Sequence, residues 1–153
     1  MDEQQGLSRR ASLAGAAGLG LGGLAAQALG AQGQAEGGGT SPAELAVLWS
    51  SGDPDVAHRV CLMYTHAAKT NRWFERVRLI IWGPSQRILV GDKDLRTKID
   101  AMRSDGVIIE ACIACATSFG LVDELRDMHL PVKPMGAPLT QFLKDPAVAV
   151  ISF

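Results

Sequence analysis

Val107-Ile-Ile-Glu-Ala-Cys112-Ile-Ala-Cys115-Ala-Thr-Ser-Phe-Gly120 reads as a strand that runs straight into a helix. The β-branched run Val107, Ile108, Ile109 is typical of a buried strand. Cys112 falls where that strand ends, and the small residues Ala114, Cys115 and Ala116 suit a helix start packed close to it. A thiol in the first turn of a helix sits among unpaired backbone N–H groups at the positive end of the helix dipole. Both favour thiolate, so Cys112 is expected to be the more acidic thiol, below the free value of ~8.5. Cys115 lies three residues on and should share its side of the helix. Gly120 interrupts the helix.

The same alternation continues on either side. Glu44–Trp49 reads as a first strand and Ser50-Ser-Gly-Asp-Pro54 as a turn, with Asp53 as helix cap and Pro54 at the first helical position. The helix that follows, to about Lys69, carries two apolar stripes. One holds Val56, Val60, Met63 and Ala67; the other holds Ala57, Cys61, Tyr64 and Ala68. Cys61 is expected to be core. Arg76–Trp82 reads as a second strand, followed by a short helix through Val90 and another opened by Asp92 and stopped by Gly106. After the cysteine helix come a helical piece with Leu121, Leu125 and Met128, a short strand over 131–135, a helix over 138–144 and an apolar strand over 147–153. Alternating strands and helices predict an α/β fold with a mainly parallel sheet of about five strands. Near-continuous apolar strands suit a sheet covered on both faces, with ligands gathered at the carboxyl ends of the strands.

Residues 1–40 are of a different kind. They hold no aromatic residue, whereas all three Trp, the Tyr, all four Phe and all three Cys follow them. Ser8-Arg9-Arg10-Ala11-Ser12-Leu13, with a charge-free stretch from Ala11 to Gln34 behind it, resembles a twin-arginine export signal. Five glycines between positions 15 and 23 dilute the stretch below the ~20 strongly apolar residues of a stable membrane span. Ala26-Gln27-Ala28 and Gly33-Gln34-Ala35 are candidate cleavage sites, and 37–42 reads as a linker. The expected division is an export signal and flexible linker over 1–40 and an α/β domain over 41–153, its mature form starting between about Leu29 and Thr40. The expected location is periplasmic or otherwise exported; the alternative is a cytoplasmic protein with an uncleaved low-complexity tail. Residues 41–153 carry 13 Lys+Arg and 13 Asp+Glu, with no concentrated basic patch, so no nucleic-acid partner is expected.

Leu-Ala-Val-Leu-Trp-Ser-Ser-Gly-Asp (45–53), Leu-Ile-Ile-Trp-Gly-Pro-Ser (79–85), Glu-Ala-Cys-Ile-Ala-Cys-Ala (110–116) and Met-Gly-Ala-Pro-Leu-Thr (135–140) together resemble the DsrE/DsrF-like family. That family includes the sulfur-relay proteins TusD and DsrE and the YchN-like proteins. The resemblance spans roughly residues 44–153. It implies a three-layer α/β/α sandwich assembled as a homo-oligomer, trimer or hexamer. It also implies that Cys112 matches the cysteine that carries persulfide sulfur, and that Cys115 matches a second cysteine present in part of the family.

Four readings of the pair stay open. Cys112 accepts sulfane sulfur as a persulfide from a donor protein or small sulfane-sulfur compound, and Cys115 releases it or closes a disulfide. The pair is a dithiol/disulfide centre. It binds metal, for which one C-x-x-C supplies only two of four ligands and His58, His66 and His129 are scattered. Or the cysteines are small residues filling a tight loop. A non-catalytic oligomeric binding module, with Trp49, Trp82 and Met135 around a pocket, is a further class. No cofactor or metal is expected.

Overall fold

The computed structural model describes residues 41–153; the expected export leader lies outside them. Five strands, β1 (Glu44–Trp49), β2 (Arg76–Ile81), β3 (Ile108–Cys112), β4 (Val132–Lys133) and β5 (Val148–Ser152), form one wholly parallel sheet in the order β4-β3-β2-β1-β5. Between β1 and β2 run α1 (Pro54–Val56), a π-helical turn (Ala57–Cys61) and α2 (Leu62–Thr70). Between β2 and β3 lie α3 (Ser85–Gly91) and α4 (Lys93–Ser104), and between β3 and β4 lie α5 (Ile113–Phe119) and α6 (Val122–Asp127). A single helix, α7 (Gly136–Lys144), joins β4 to β5.

The strand order explains why the two layers of helix are unequal. Crossovers between parallel strands are right-handed. The first three each step one strand in the same direction, so their helices land on one face. The last runs back past β3, β2 and β1, so α7 lands on the other face. The result is an α/β/α sandwich with one outer layer thick and the other a single short helix.

The thick side holds the main core. Leu45, Val47 and Trp49 of β1, Val77, Leu79 and Ile81 of β2, and Ile109 and Ala111 of β3 alternate onto it. They meet Ala57, Cys61, Leu62 and Ala68 of the first helical run, Leu89 of α3, Leu95, Ile99 and Met102 of α4, and Leu125 of α6. The thin side holds a smaller cluster of Ile80, Cys112 and Met135, with Leu48, Trp82, Cys115, Leu139 and Phe142 packed against it.

Local expectations hold where the signal is local. The Asp53 side chain accepts from the Asp55 and Val56 amides at 2.8 and 3.3 Å, with Pro54 in the first position. Asp92 caps α4 through Asp94 and Leu95. Gly120 ends α5 in the left-handed conformation. Three details differ. The first helix passes through a π-helical turn, whose last residue, Cys61, has its carbonyl engaged by the Thr65 hydroxyl at 2.7 Å. The strand expected over 131–135 pairs only at Val132 and Lys133, because β3 ends at Cys112 and leaves β4 nothing further to follow. The sheet is not covered throughout: Ile108 and Ile151 are exposed, since α7 is too short to shield one face and β5 is an edge.

Candidate functional site at the carboxyl edge

Three strands deliver their last residues to one small region. Trp49 ends β1, Ile81 ends β2 with Trp82 just after it, and Cys112 ends β3. The chain turns at Gly83, whose φ of +64° is the left-handed region that glycine enters without strain. Ser85, fully buried at the start of α3, donates to the Trp49 carbonyl at 2.7 Å and accepts the Trp82 amide at 3.1 Å. One hydroxyl thereby ties β1 to β2.

Gln86 does the same for β2 and β3. Its Nε2 donates to the Ile81 carbonyl at 3.1 Å and to the Cys112 carbonyl at 3.0 Å, using both amide protons. Its side chain is fully buried, and its Oε1 has no protein partner. Gln86 therefore fixes the backbone of Cys112 at the point where strand becomes helix. Sequence reading missed it, because a glutamine between Ser85 and Arg87 carries no local sign of burial.

Cys112 occupies the cap position of α5, with extended backbone, and its side chain accepts no cap hydrogen bond. The first-turn N–H groups invoked from sequence are thus not used by this thiol. It turns instead into the Ile80–Met135 cluster and is 2% exposed. Cys115, one helical turn on, is half-buried and packs against the cluster that contains Cys112. Burial pushes the Cys115 thiol above its ordinary value, and the Cys112 sulfur adds to this through a hydrogen bond and its charge. The Gly83 backbone N–H pulls the other way. All three cysteines are free thiols.

Cys61 is a useful contrast. Fully buried on the thick side, it is pushed up to about 12 by burial, only partly opposed by its contact with Thr65. A thiol that stays protonated at neutral pH is a packing residue, as expected from sequence.

Below the cysteines, on the same face, charged side chains cross four strands. Glu44 of β1 accepts from Arg76 and Arg78 of β2 at 2.8 and 3.0 Å. Arg78 also donates to Glu110 of β3 at 2.7 Å, and Lys133 of β4 reaches Glu110 at 2.5 Å. The Arg78 guanidinium lies 5.0 Å from the centre of the Phe142 ring on α7. Burial alone would raise the Glu110 carboxyl, but the Lys133 and Arg78 hydrogen bonds outweigh it and hold it below the usual range. A period-2 reading of Arg76, Arg78 and Ile80 shows the shared face; the partners come from distant strands and are not visible in sequence.

Trp49 and Met135, considered as pocket walls, are fully buried core, and Trp82 is half-buried. A cleft of about 550 Å³ opens at the opposite, amino-terminal edge of the sheet, lined by Lys69, Thr70, Arg72, Phe74, Glu75 and Asp105, with no cysteine in it. Among the described residues, no three His, Cys, Asp or Glu side chains are grouped to hold a metal ion. Among the same residues, no helix is long and apolar enough to cross a membrane.

A conserved protein of unknown function from Bacteroides thetaiotaomicron, BT1422, has a similar solved structure. It is 30% identical, with a TM-score of 0.68 over 72% of this chain and 95% of that one. The chain belongs to the same family as that protein. No family model matches the chain, and no curated protein matches it.

Proposed function

We propose that this protein is a sulfur carrier of the DsrE-like kind, which takes sulfane sulfur as a persulfide on Cys112 with Cys115 as its partner thiol. The observation that carries this reading is the pair of free cysteines at the carboxyl edge, Cys115 packed against the cluster that contains Cys112, with the Cys112 backbone pinned by Gln86. Persulfide exchange needs a thiolate to attack a sulfane sulfur and a second group to receive or release it. The test is intact-mass measurement after incubation with polysulfide followed by a glutathione chase. Wild type should gain sulfur. Cys112→Ser, a nearly isosteric change, should keep the fold and retain no stable adduct. A stable adduct on Cys112→Ser equal to that on wild type would refute the assignment.

The same pair supports a second reading, a dithiol/disulfide centre. Titration against glutathione buffers distinguishes the two. A reversible Cys112–Cys115 disulfide with no persulfide formed favours redox function.

Two further proposals concern the protein's surroundings. A homo-oligomer, trimer or hexamer, is favoured by the outer stripe of the first helix, where Val60 and Met63 are 42% and 58% exposed. Met63→Glu should shift light scattering toward monomer. Export by a twin-arginine route rests on Arg9-Arg10 and the charge-free segment behind them. Replacing both arginines with lysine should retain the protein in the cytoplasm, and unchanged export would count against that route.

A further inference from the structure

We infer that sulfur enters this site at Cys115 and is handed inward to Cys112, which stores it beneath α7. The inference rests on the persulfide reading above and adds an order and a direction to it. Three observations support the order. Cys115 is the more exposed of the two thiols, while Cys112 is 2% exposed. The Gly83 backbone N–H favours the Cys115 thiolate, and Gly83 sits in a turn with open space where a Cβ would be. The Cys112 side chain is enclosed by Ile80 and Met135, with Leu139 and Phe142 of α7 against the same cluster.

A donor large enough to carry a sulfane sulfur reaches the outer thiol first. The Cys115 thiol loses its proton to solvent, and the thiolate attacks the outer sulfur of a polysulfide anion. A bond forms between the Cys115 sulfur and that atom. The donor's S–S bond breaks, and its electron pair leaves with the shortened polysulfide, which takes up a proton. Cys112 then gives up its proton and attacks the outer sulfur of the Cys115 persulfide. The new S–S bond is on Cys112, the old one breaks, and Cys115 leaves as the thiolate that recovers the proton. No oxidant or reductant is consumed in either step. Attack on the inner sulfur instead gives a Cys112–Cys115 disulfide and hydrosulfide, which is also balanced but releases the cargo.

The apolar surroundings of Cys112 give the inner position its purpose. Water and soluble thiols reach a residue only 2% exposed poorly, so a persulfide there is protected from reduction until the α7 cover shifts. Access is thus graded by depth.

The experiment follows loading by quenched-flow alkylation and mass spectrometry in wild type, Cys115→Ser, Cys112→Ser and the double variant Cys115→Ser/Leu139→Ala, each checked for fold by circular dichroism. Cys115→Ser should load Cys112 more slowly than wild type by roughly tenfold or more, the proximity advantage of the relay being lost. Cys112→Ser should load Cys115 at the wild-type rate but lose the sulfur quickly to added glutathione. Leu139→Ala should restore part of the loading rate to the Cys115→Ser background by opening the cover. That restoration would not follow if Cys115 mattered only for folding. Cys115→Ser loading at the wild-type rate overturns the inference and leaves the persulfide reading standing. Disulfide plus free sulfide as the main wild-type product overturns storage on Cys112. Wild type that takes up no sulfur at all overturns both.

Discussion

One face of the sheet lies under seven helical segments and the other under α7 alone, and each face holds cysteine in a different state. Under the thick layer, Cys61 is sealed among aliphatic side chains and held protonated. Under the thin layer, Cys112 and Cys115 belong to one small cluster at the edge, and the face below them carries paired charges in place of further apolar residues. The main core and the cysteine pair are thereby separated across a single sheet. Buried area is concentrated where nothing needs to move. The edge thiols sit where only the short helix α7 covers the sheet.

The contrast is broken most severely from the thick side. Leu79→Ala removes a fully buried side chain from the middle of the main core. It should cost about 2–5 kcal/mol in urea denaturation. Leu139→Ala on α7, where no residue is fully buried, should cost clearly less in the same measurement. Equal losses would mean that the two layers contribute alike.

Gln86→Leu is expected to come next. It removes two hydrogen bonds to strand-end carbonyls and leaves both acceptors buried, a loss of about 1–3 kcal/mol. A purely structural glutamine would change only the denaturation midpoint. One that positions Cys112 should also alter the Cys112–Cys115 disulfide equilibrium with glutathione.

Glu110 gives the thin face a pH signature. Its carboxyl is held below the usual range, so the stability it contributes is complete above the unfolded value of ~4.3 and is lost as pH falls through the lower folded value. Glu110→Gln should flatten the acid limb of the stability profile measured by thermal melting. An unchanged limb would place the acid sensitivity elsewhere. The smallest expected effect is at Asp53. Asp53→Ala removes the α1 cap and should cost about 1 kcal/mol without altering thiol reactivity.

Much of the architecture was legible because its signals are local. The Asp53-Pro54 start, the strand-to-helix passage at Cys112 and the stop at Gly120 each depend on neighbours within a few residues. The inequality of the layers was not legible, because it follows from β5 pairing beside β1, a contact between residues about a hundred apart. The Gln86 bridge and the Glu44–Arg78–Glu110–Lys133 ladder were hidden for the same reason. The cysteine pair was visible as a spacing, but the depth difference between its two members needed α7 in place.

The most direct test treats the folded protein with polysulfide, traps it by alkylation and maps sulfur occupancy at all three cysteines by tandem mass spectrometry. Sulfur on Cys112, with Cys115 occupied transiently and Cys61 bare, is the predicted result. Occupancy at Cys61 equal to that at Cys112, or no sulfur on either member of the edge pair in a folded sample, would contradict the division of the sheet into a structural and a reactive face.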